Sequence, residues 1–163
     1  MSVDEWVELI PWHQNEIKLF GKTYPEPRLT SWFGPPYRYS GISWKEKAMP
    51  PELENIRRKL SDMLCFPFNS VLCNYYRDGQ DSMSWHSDNE PEMDQELIAS
   101  LSIGGTRTFR FRKKGMKHSS GAQLEHGSLL VMQNFQSLWQ HSIPKSKKEC
   151  APRINLTFRR IAR

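Results

Sequence analysis

Hydrophobic and polar residues alternate along much of the second half of the chain, and a period of two is typical of β-strands. The segment 106–114, TRTFRFRKK, places Phe109 and Phe111 on one face and Arg110 and Arg112 on the other. Further segments with the length and apolar content of strands are 69–77, 97–105, 127–133 and 153–161. The pattern predicts a mainly β protein with antiparallel strands, one of which has a charged face.

One segment has the helical period instead. In 50–64, PPELENIRRKLSDML, prolines stand at the start, where a helix tolerates them. Apolar residues then recur three or four positions apart, at Leu53, Ile56, Leu60 and Leu64. Residues 1–48 are rich in proline, glycine and aromatics, and we expect loops and short strands there. Together these elements predict an α+β fold: a β-sandwich or barrel with helices packed outside.

The composition narrows the class of protein. The chain has 163 residues without a break in composition, which predicts one domain over 1–163. A hydrophobic content of 37% with 12% aromatic residues argues against disorder. No apolar run is long enough for a membrane span, and the N-terminus lacks a secretory signal pattern. Three cysteines without a CxxC pair indicate reduced thiols, so we expect an intracellular protein.

Positive charge is concentrated in the second half of the chain. The segment 106–117 holds six basic residues and no acid, and 145–148 reads KSKK. Such patches favour polyanions such as nucleic acid. A solvated strand face followed by a basic turn explains the same pattern, so both interpretations stand at this point.

The stretch SWHSDNE, 84–90, offers metal ligands. On a strand, His86 and Asp88 point to the same side and can converge on one ion. A mononuclear non-haem iron centre uses two histidines and one carboxylate, so a third ligand must come from elsewhere. The candidates are His13, His118, His126 and His141. His141 is favoured because it follows a buried-looking strand and a loop, but HxD alone is also compatible with a polar loop.

The C-terminal segment RINLTFRRI, 153–161, has a polar face made by Arg153, Asn155, Thr157 and Arg159. Two arginines that point inward are costly to bury without anions. A dicarboxylate would satisfy them, because a guanidinium group binds a carboxylate through two parallel hydrogen bonds. A polar strand side that faces solvent is the alternative.

Taken together, these motifs resemble the AlkB family of Fe(II)- and 2-oxoglutarate-dependent oxygenases, the nucleic-acid dealkylases. The matching stretches follow in the family's order from residue 27 onward: PRLTSWFG, YRYSG, NYYRDGQDSMSWHSDNE, IASLSIGGTRTFRFR, HGSLLVMQ, WQHSIPK and PRINLTFR. The resemblance implies a double-stranded β-helix (jelly-roll) core over about 69–163 with flanking helices. It also implies a nucleotide-recognition lid within about 1–48.

The resemblance implies roles for four groups of residues. The Fe(II) ligands would be His86, Asp88 and His141. The residues that hold 2-oxoglutarate would be Asn74, Tyr76, Arg153, Asn155 and Arg159. The residues near the target base would be Glu90, Tyr37, Tyr39, Trp32 and Phe33. The phosphate backbone would follow Arg107, Arg110, Arg112, Lys113, Lys114 and Lys117.

The implied activity is oxidative demethylation of N-alkylated bases, such as 1-methyladenine and 3-methylcytosine, in DNA, with RNA as an open alternative or additional substrate. The reaction would use 2-oxoglutarate and O₂, release succinate, CO₂ and formaldehyde, and repair alkylation damage directly. The base must be flipped or single-stranded. We expect a monomer in the cytoplasm, or in the nucleus of a eukaryote. The alternatives are an oxygenase acting on protein or a small molecule, and a non-catalytic nucleic-acid-binding module, against which the complete ligand and arginine set argues.

Overall fold

The computed structural model describes residues 1–19, 21–39 and 42–162, with the backbone alone at 18–19 and 38–39. The helices of this part are α1 (Val3–Leu9) and α2 (Pro51–Leu64). The strands of its first half are β1 (Glu16–Leu19), β2 (Lys22–Pro25), β3 (Leu29–Phe33), β4 (Tyr37–Tyr39), β5 (Ile42–Trp44), β6 (Ser70–Tyr76) and β7 (Met83–His86). Those that follow are β8 (Leu97–Gly104), β9 (Arg107–Lys113), β10 (Ser120–Leu124), β11 (Leu129–Gln133), β12 (Trp139–Ile143) and β13 (Arg153–Arg159).

Two antiparallel sheets form the centre of the molecule. The large sheet has the strand order β11-β8-β13-β6-β3, and the small sheet has the order β10-β9-β12-β7. The hairpins β1-β2 and β4-β5 are separate two-stranded sheets. Side chains from the inner faces of the two sheets share one apolar core, for example Leu72 and Ile98 of the large sheet and Phe109 of the small one. This arrangement confirms the predicted mainly β, jelly-roll core with flanking helices.

Helix α2 confirms the helix predicted over 50–64. Pro51 opens it, Leu53 and Leu60 are buried, and Glu52 and Glu54 lie in the first turn, where the helix dipole favours acid. The helix ends at Cys65, which has a left-handed φ of 49°. Neither described helix is long and apolar enough to cross a membrane.

Helix α1 was not predicted, because seven residues are too few to show a helical period. A capping box holds its start: Glu5 donates its backbone N–H to Ser2 Oγ (3.2 Å), and Ser2 donates its own to Glu5 Oε2 (2.6 Å). Trp6 and Ile10 are buried in the core that the helices share with the large sheet. The expectation of loops and short strands over 1–48 was therefore wrong at 3–9.

Strand β13 lies in the middle of the large sheet, between β8 and β6, and all seven of its residues are buried. Ile154, Leu156 and Phe158 point to the core beneath the helices. Its polar residues therefore point to the other side, into the space between the two sheets, and four of them line a cavity there. The alternative of a solvent-facing polar side is wrong.

Gly104 makes the turn from the large sheet to the small one possible. Its φ is 91°, and a Cβ atom there would lie 2.4 Å from the carbonyl oxygen of Pro152. A side chain would therefore clash with backbone and strain the conformation. The glycine lets β9 begin three residues after β8 has ended and places its inward side chains opposite β13.

Candidate active site

His86, Asp88 and His141 converge between the sheets, as predicted. His86 ends β7 and His141 lies in β12, directly opposite in the antiparallel register. One nitrogen from each imidazole and one carboxylate oxygen all lie within 4.8 Å of one another. The Nε2 atoms lie 3.8 Å (His86) and 3.6 Å (His141) from oxygens of Asp88. Two imidazoles and a carboxylate with such spacing form the ligand set of a mononuclear Fe(II) centre.

A β-bulge brings His86 to the site. His141 pairs with His86, whereas Ile143, two residues later, pairs with Met83, three residues earlier, so β7 carries one extra residue. Met83 and His86 consequently both line the cavity, although simple alternation would place them on opposite faces. Asp88 lies beyond the end of β7, so the strand geometry assumed for His86 and Asp88 was wrong, while their convergence was predicted correctly.

The ligands have the protonation states that metal binding needs. His86 places Nδ1 2.9 Å from the carbonyl oxygen of Ser84, so Nδ1 carries the proton and Nε2 is free to bind a metal. Burial lowers the pKa of His86 below its usual value. Burial, and then the neighbouring His86, lower the pKa of His141 to about 3. Both imidazoles are therefore neutral at pH 7, as metal coordination requires.

Asp88 is 1% exposed and stays ionised because of its neighbours. Burial by itself would raise its pKa, but Arg159, and then His86 and His141, reverse this, and the pKa lies below its usual value. Arg159 Nη2 donates to Asp88 Oδ1 at 2.8 Å. Arg159 thus orients a metal ligand, in addition to its predicted place at the cosubstrate.

Arg153 fits the distal carboxylate of a dicarboxylic acid. It is 1% exposed, and Nη2 donates to Ser102 Oγ at 2.9 Å. Its Nε and Nη1 atoms are buried and have no hydrogen-bond partner among the residues that the structure describes. Burial lowers the pKa of Arg153 to about 10, so the group is still charged at neutral pH. A buried cation with free donors in a cavity is a site for an anion.

The other predicted 2-oxoglutarate residues line the same cavity. Asn74 accepts a hydrogen bond from Arg28 Nε on its Oδ1 atom (2.8 Å), which leaves its amide N–H groups as donors for a ligand. Asn155 donates to Ser100 Oγ (2.6 Å) and accepts from Thr157 (2.7 Å). The ring of Tyr76 lies 5.4 Å from the guanidinium of Arg153.

Three of the predicted base-contacting residues lie together near Asp88. Tyr37 is hydrogen-bonded to Glu90 and also accepts from Arg159 Nη1 at 3.4 Å. Burial raises the pKa of Glu90, and the charge of Asp88 adds to the effect. The Oε2 atom of Glu90 is buried without a partner in the described part of the chain. Trp32 stacks beneath Tyr37, with 4.6 Å between ring centroids, and is itself 1% exposed.

Phe33 does not lie at the site, which corrects the prediction for it. Consecutive residues of β3 point to opposite faces, and Phe33 belongs to the core beneath the helices, with Lys47 Nζ 4.6 Å from its ring centroid. Tyr39 pairs through its backbone with Ile42, and its side chain lies outside the described part.

The six basic residues of 107–117 have different surroundings. Arg107 is 3% exposed and donates to three backbone carbonyls, those of Asp78, Asp81 and Pro144, each at 2.8 Å. Both terminal nitrogens of the guanidinium thus donate to the protein and the group is enclosed, which corrects its predicted contact with phosphate. Arg112 lies 4.2 Å over the ring of Trp85, and Lys114 donates to the carbonyl of Gln136 (2.8 Å). The side chains exposed to solvent without such contacts are Arg110, Lys113 and Lys117.

The remaining candidate histidines lie elsewhere. His126 accepts the backbone N–H of Gly104 on Nδ1 (3.0 Å), and His13 bridges to Thr30 through its backbone. His118 is exposed after the basic turn. Of the four candidates, His141 alone joins His86 and Asp88 in the described residues.

Sequence reasoning missed several residues that support the site. Ser100 and Ser102 alternate with apolar residues in β8, and this polar stripe in a buried strand was a usable signal. Arg28 and Gln136 have no such signal in the sequence, because their partners, Asn74 and Asp88, are remote from them along the chain.

Comparisons with known proteins agree with this geometry. Residues 1–159 match the family described as the 2OG-Fe(II) oxygenase superfamily. Alpha-ketoglutarate-dependent dioxygenase alkB homolog 3 of Mus musculus is 42% identical over 165 residues, which cover 93% of this chain and 58% of that protein. DNA oxidative demethylase ALKBH2 of Mus musculus is 36% identical over 173 residues, 98% of this chain and 72% of that protein. The solved structure of OsALKBH1 has the same fold, with a TM-score of 0.64 at 14% identity over 90% of this chain and 80% of that one.

Proposed function

Because the chain belongs to the 2OG-Fe(II) oxygenase superfamily, and within it to the AlkB family, we propose that it removes alkyl groups oxidatively from the bases of nucleic acid. The chain spans 58% of the length of the alkB homolog 3 relative, so the proposal concerns the catalytic unit described above. The substrates we propose are 1-methyladenine and 3-methylcytosine in DNA, and also in RNA. The products are the repaired base, formaldehyde, succinate and CO₂.

One observation carries the proposal: the metal-ligand set and a buried arginine with free donors line the same cavity. His86, Asp88 and His141 would hold Fe(II). Arg153 would bind the distal carboxylate of 2-oxoglutarate, with Asn74, Tyr76 and Asn155 beside it and Arg159 between cosubstrate and Asp88. Iron and 2-oxoglutarate, once bound, supply the oxidation by O₂. The chain supplies orientation, neutral imidazoles, an ionised carboxylate and a largely enclosed cavity.

Glu90 and Tyr37 are the residues we propose for the target base. Both lesions carry an exocyclic amino group beside the alkylated nitrogen. The Oε2 atom of Glu90, which has no partner among the residues described, can accept a hydrogen bond from it. Tyr37, supported by Trp32, offers a ring at the same place. Tyr39 and the segment 1–48 stay as the predicted lid.

The exposed basic residues of 107–117 would contact phosphates of the strand. We propose that Arg110, Lys113 and Lys117 do so directly, with Arg112 and Lys114 at the margin because their side chains already have partners. A monomer suffices for this site, and the substrate implies a location inside the cell, in the nucleus of a eukaryote.

The test is anaerobic reconstitution with Fe(II) and 2-oxoglutarate, followed by oxygen and a single-stranded oligonucleotide that carries 1-methyladenine. We expect mass spectrometry to show loss of one methyl group, abolished in His86→Ala and Arg153→Ala and retained in the matched surface variant His118→Ala. Succinate release with the methyl group intact would point to a protein or small-molecule substrate. Oligonucleotide binding without turnover, unaffected by His86→Ala, would point to a non-catalytic binding module.

A further inference from the structure

The carboxylate of the metal triad lies outside the sheet that positions the two histidines. His86 and His141 are paired across neighbouring strands, whereas Asp88 follows the end of β7 by two residues. The backbone of Asp88 is therefore not fixed by a hydrogen bond between strands. Another group must fix it if the carboxylate is to stay within 4 Å of both imidazoles.

Gln136 takes the place of the missing strand partner. Its Oε1 atom accepts the backbone N–H of Asp88 at 2.9 Å, across 48 positions of sequence. Gln136 is 0% exposed, and its Nε2 atom donates to Met132 Sδ at 3.6 Å, a weak acceptor. Since burying an amide without strong hydrogen bonds is unfavourable, the bond to Asp88 is the one that makes a glutamine acceptable here.

The segment that carries Gln136 is itself held at both sides. Lys114 Nζ donates to the carbonyl oxygen of Gln136 (2.8 Å), and Ser87 Oγ donates to the carbonyl oxygen of Trp139 (2.7 Å). Asn134 begins the segment with a left-handed φ of 48°. The connection between β11 and β12 thus braces the backbone at 87–88, while Arg159 orients the carboxylate from the other side.

We infer that Gln136 is a positioning residue for the metal centre: its side-chain carbonyl fixes the backbone of Asp88 so that the carboxylate faces His86 and His141. The inference rests on the proposed Fe(II) site and adds a residue to it. Partners of metal ligands commonly change metal affinity 10- to 100-fold when they are removed, although they never touch the metal.

The experiment compares three variants of the full chain by calorimetric titration with Mn(II) as the probe. Gln136→Leu removes the acceptor, Gln136→Glu keeps an oxygen acceptor at the same place, and Gln133→Leu is the matched control at an exposed glutamine three residues earlier. We expect Gln136→Leu to bind Mn(II) about 10- to 100-fold more weakly than the wild type. Gln133→Leu should match the wild type, and Gln136→Glu should recover most of the affinity.

Equal Mn(II) affinity in Gln136→Leu and the wild type would overturn the inference. So would a Gln136→Glu variant as weak as Gln136→Leu, because the residue would then act through packing. Thermal unfolding without metal checks each fold, and Gln136→Met, unbranched and of similar length, replaces the leucine variant if that one does not fold. A wild type that does not bind Mn(II) would refute the proposed iron site itself, whereas binding that is indifferent to Gln136 refutes the inference alone.

Discussion

Strands β9 and β13 both contain arginines in an alternation of polar and apolar residues, yet their arginines have different surroundings. β13 lies in the middle of the large sheet with helices on one side and the small sheet on the other, so Arg153 and Arg159 are enclosed. β9 has a solvent-facing side, where Arg110 is exposed. The difference comes from the layers on each side of a strand, which the alternation itself does not specify.

Within β9 the same distinction recurs over three residues. Arg107 is on the inward side with Phe109 and is buried, whereas Arg110 is on the outward side. Arg107 and Arg153 both lie near the ring of Tyr76, at 5.5 Å and 5.4 Å from its centroid. Arg107 donates to three carbonyl oxygens, whereas Nε and Nη1 of Arg153 have no hydrogen-bond partner among the described residues. The first arginine is therefore structural, and the second is available to a ligand.

The largest expected effect comes from Arg153→Met. Loss of a buried charge partner commonly costs about 2–5 kcal/mol, so we expect the affinity for 2-oxoglutarate to fall by roughly 30-fold or more. Because the variant also removes an uncompensated buried cation, the ligand-free protein should unfold at the same temperature or a higher one. Calorimetric titration with 2-oxoglutarate and a thermal melt measure both quantities. Arg110→Met is the control, and a similar loss of affinity there would erase the distinction between the strands.

Arg107→Met should act on stability. The variant leaves three buried carbonyls without a charged donor, so we expect the free energy of unfolding in urea to fall by about 3 kcal/mol. The corresponding change in Arg110→Met should stay within about 0.5 kcal/mol. If Arg107→Met keeps full stability and instead weakens oligonucleotide binding, the original prediction of a phosphate contact is restored.

The division between enclosed and exposed positions also applies to histidine. The pKa of His141 is lowered to about 3, whereas an unfolded histidine titrates near 6.5. Between these values the unfolded chain binds the extra proton, so stability is full above pH 6.5 and falls with acidification, by up to about 1.4 kcal/mol per pH unit. Urea unfolding of metal-free protein from pH 7 to pH 4 should show a shallower slope in His141→Gln. His118→Gln, at an exposed position, should keep the slope of the wild type.

Much of this organisation was predictable from local pattern, and the failures have specific physical causes. The alternation in 153–161 predicted the polar face that lines the cavity, because a period of two survives in any sheet environment. Alternation also separates Trp32 from Phe33, but which of them faces the site depends on the pairing of β3 with β6. The bulge in β7 has no sequence signature here, so the convergence of His86 and Asp88 was predicted through a geometry that the chain does not use.

Residues that act through distant partners were the hardest to predict. Arg107 looks like another member of a basic run, and its burial depends on carbonyls at 78, 81 and 144 that close over it. Gln136 looks like a polar residue in a loop, and its importance depends on the single N–H of Asp88. Neither environment can be inferred before the sheet order is known, since each joins segments more than 20 positions apart.

The smallest expected effect is on the salt dependence of oligonucleotide binding. It compares a basic side chain that is exposed without a protein partner in the described residues, Arg110, with one that already donates to the protein, Lys114. If Arg110 contacts a phosphate, Arg110→Ala should weaken binding of single-stranded oligonucleotides uniformly across sequences. It should also reduce the slope of log K against log salt by about 0.7. Lys114→Ala should change this slope less, because its ammonium already donates to Gln136. Fluorescence anisotropy from 50 to 200 mM salt measures both slopes. If Arg110→Ala keeps the slope of the wild type, the outer face of β9 is a solvated surface, and the nucleic-acid strand must approach the cavity from another side.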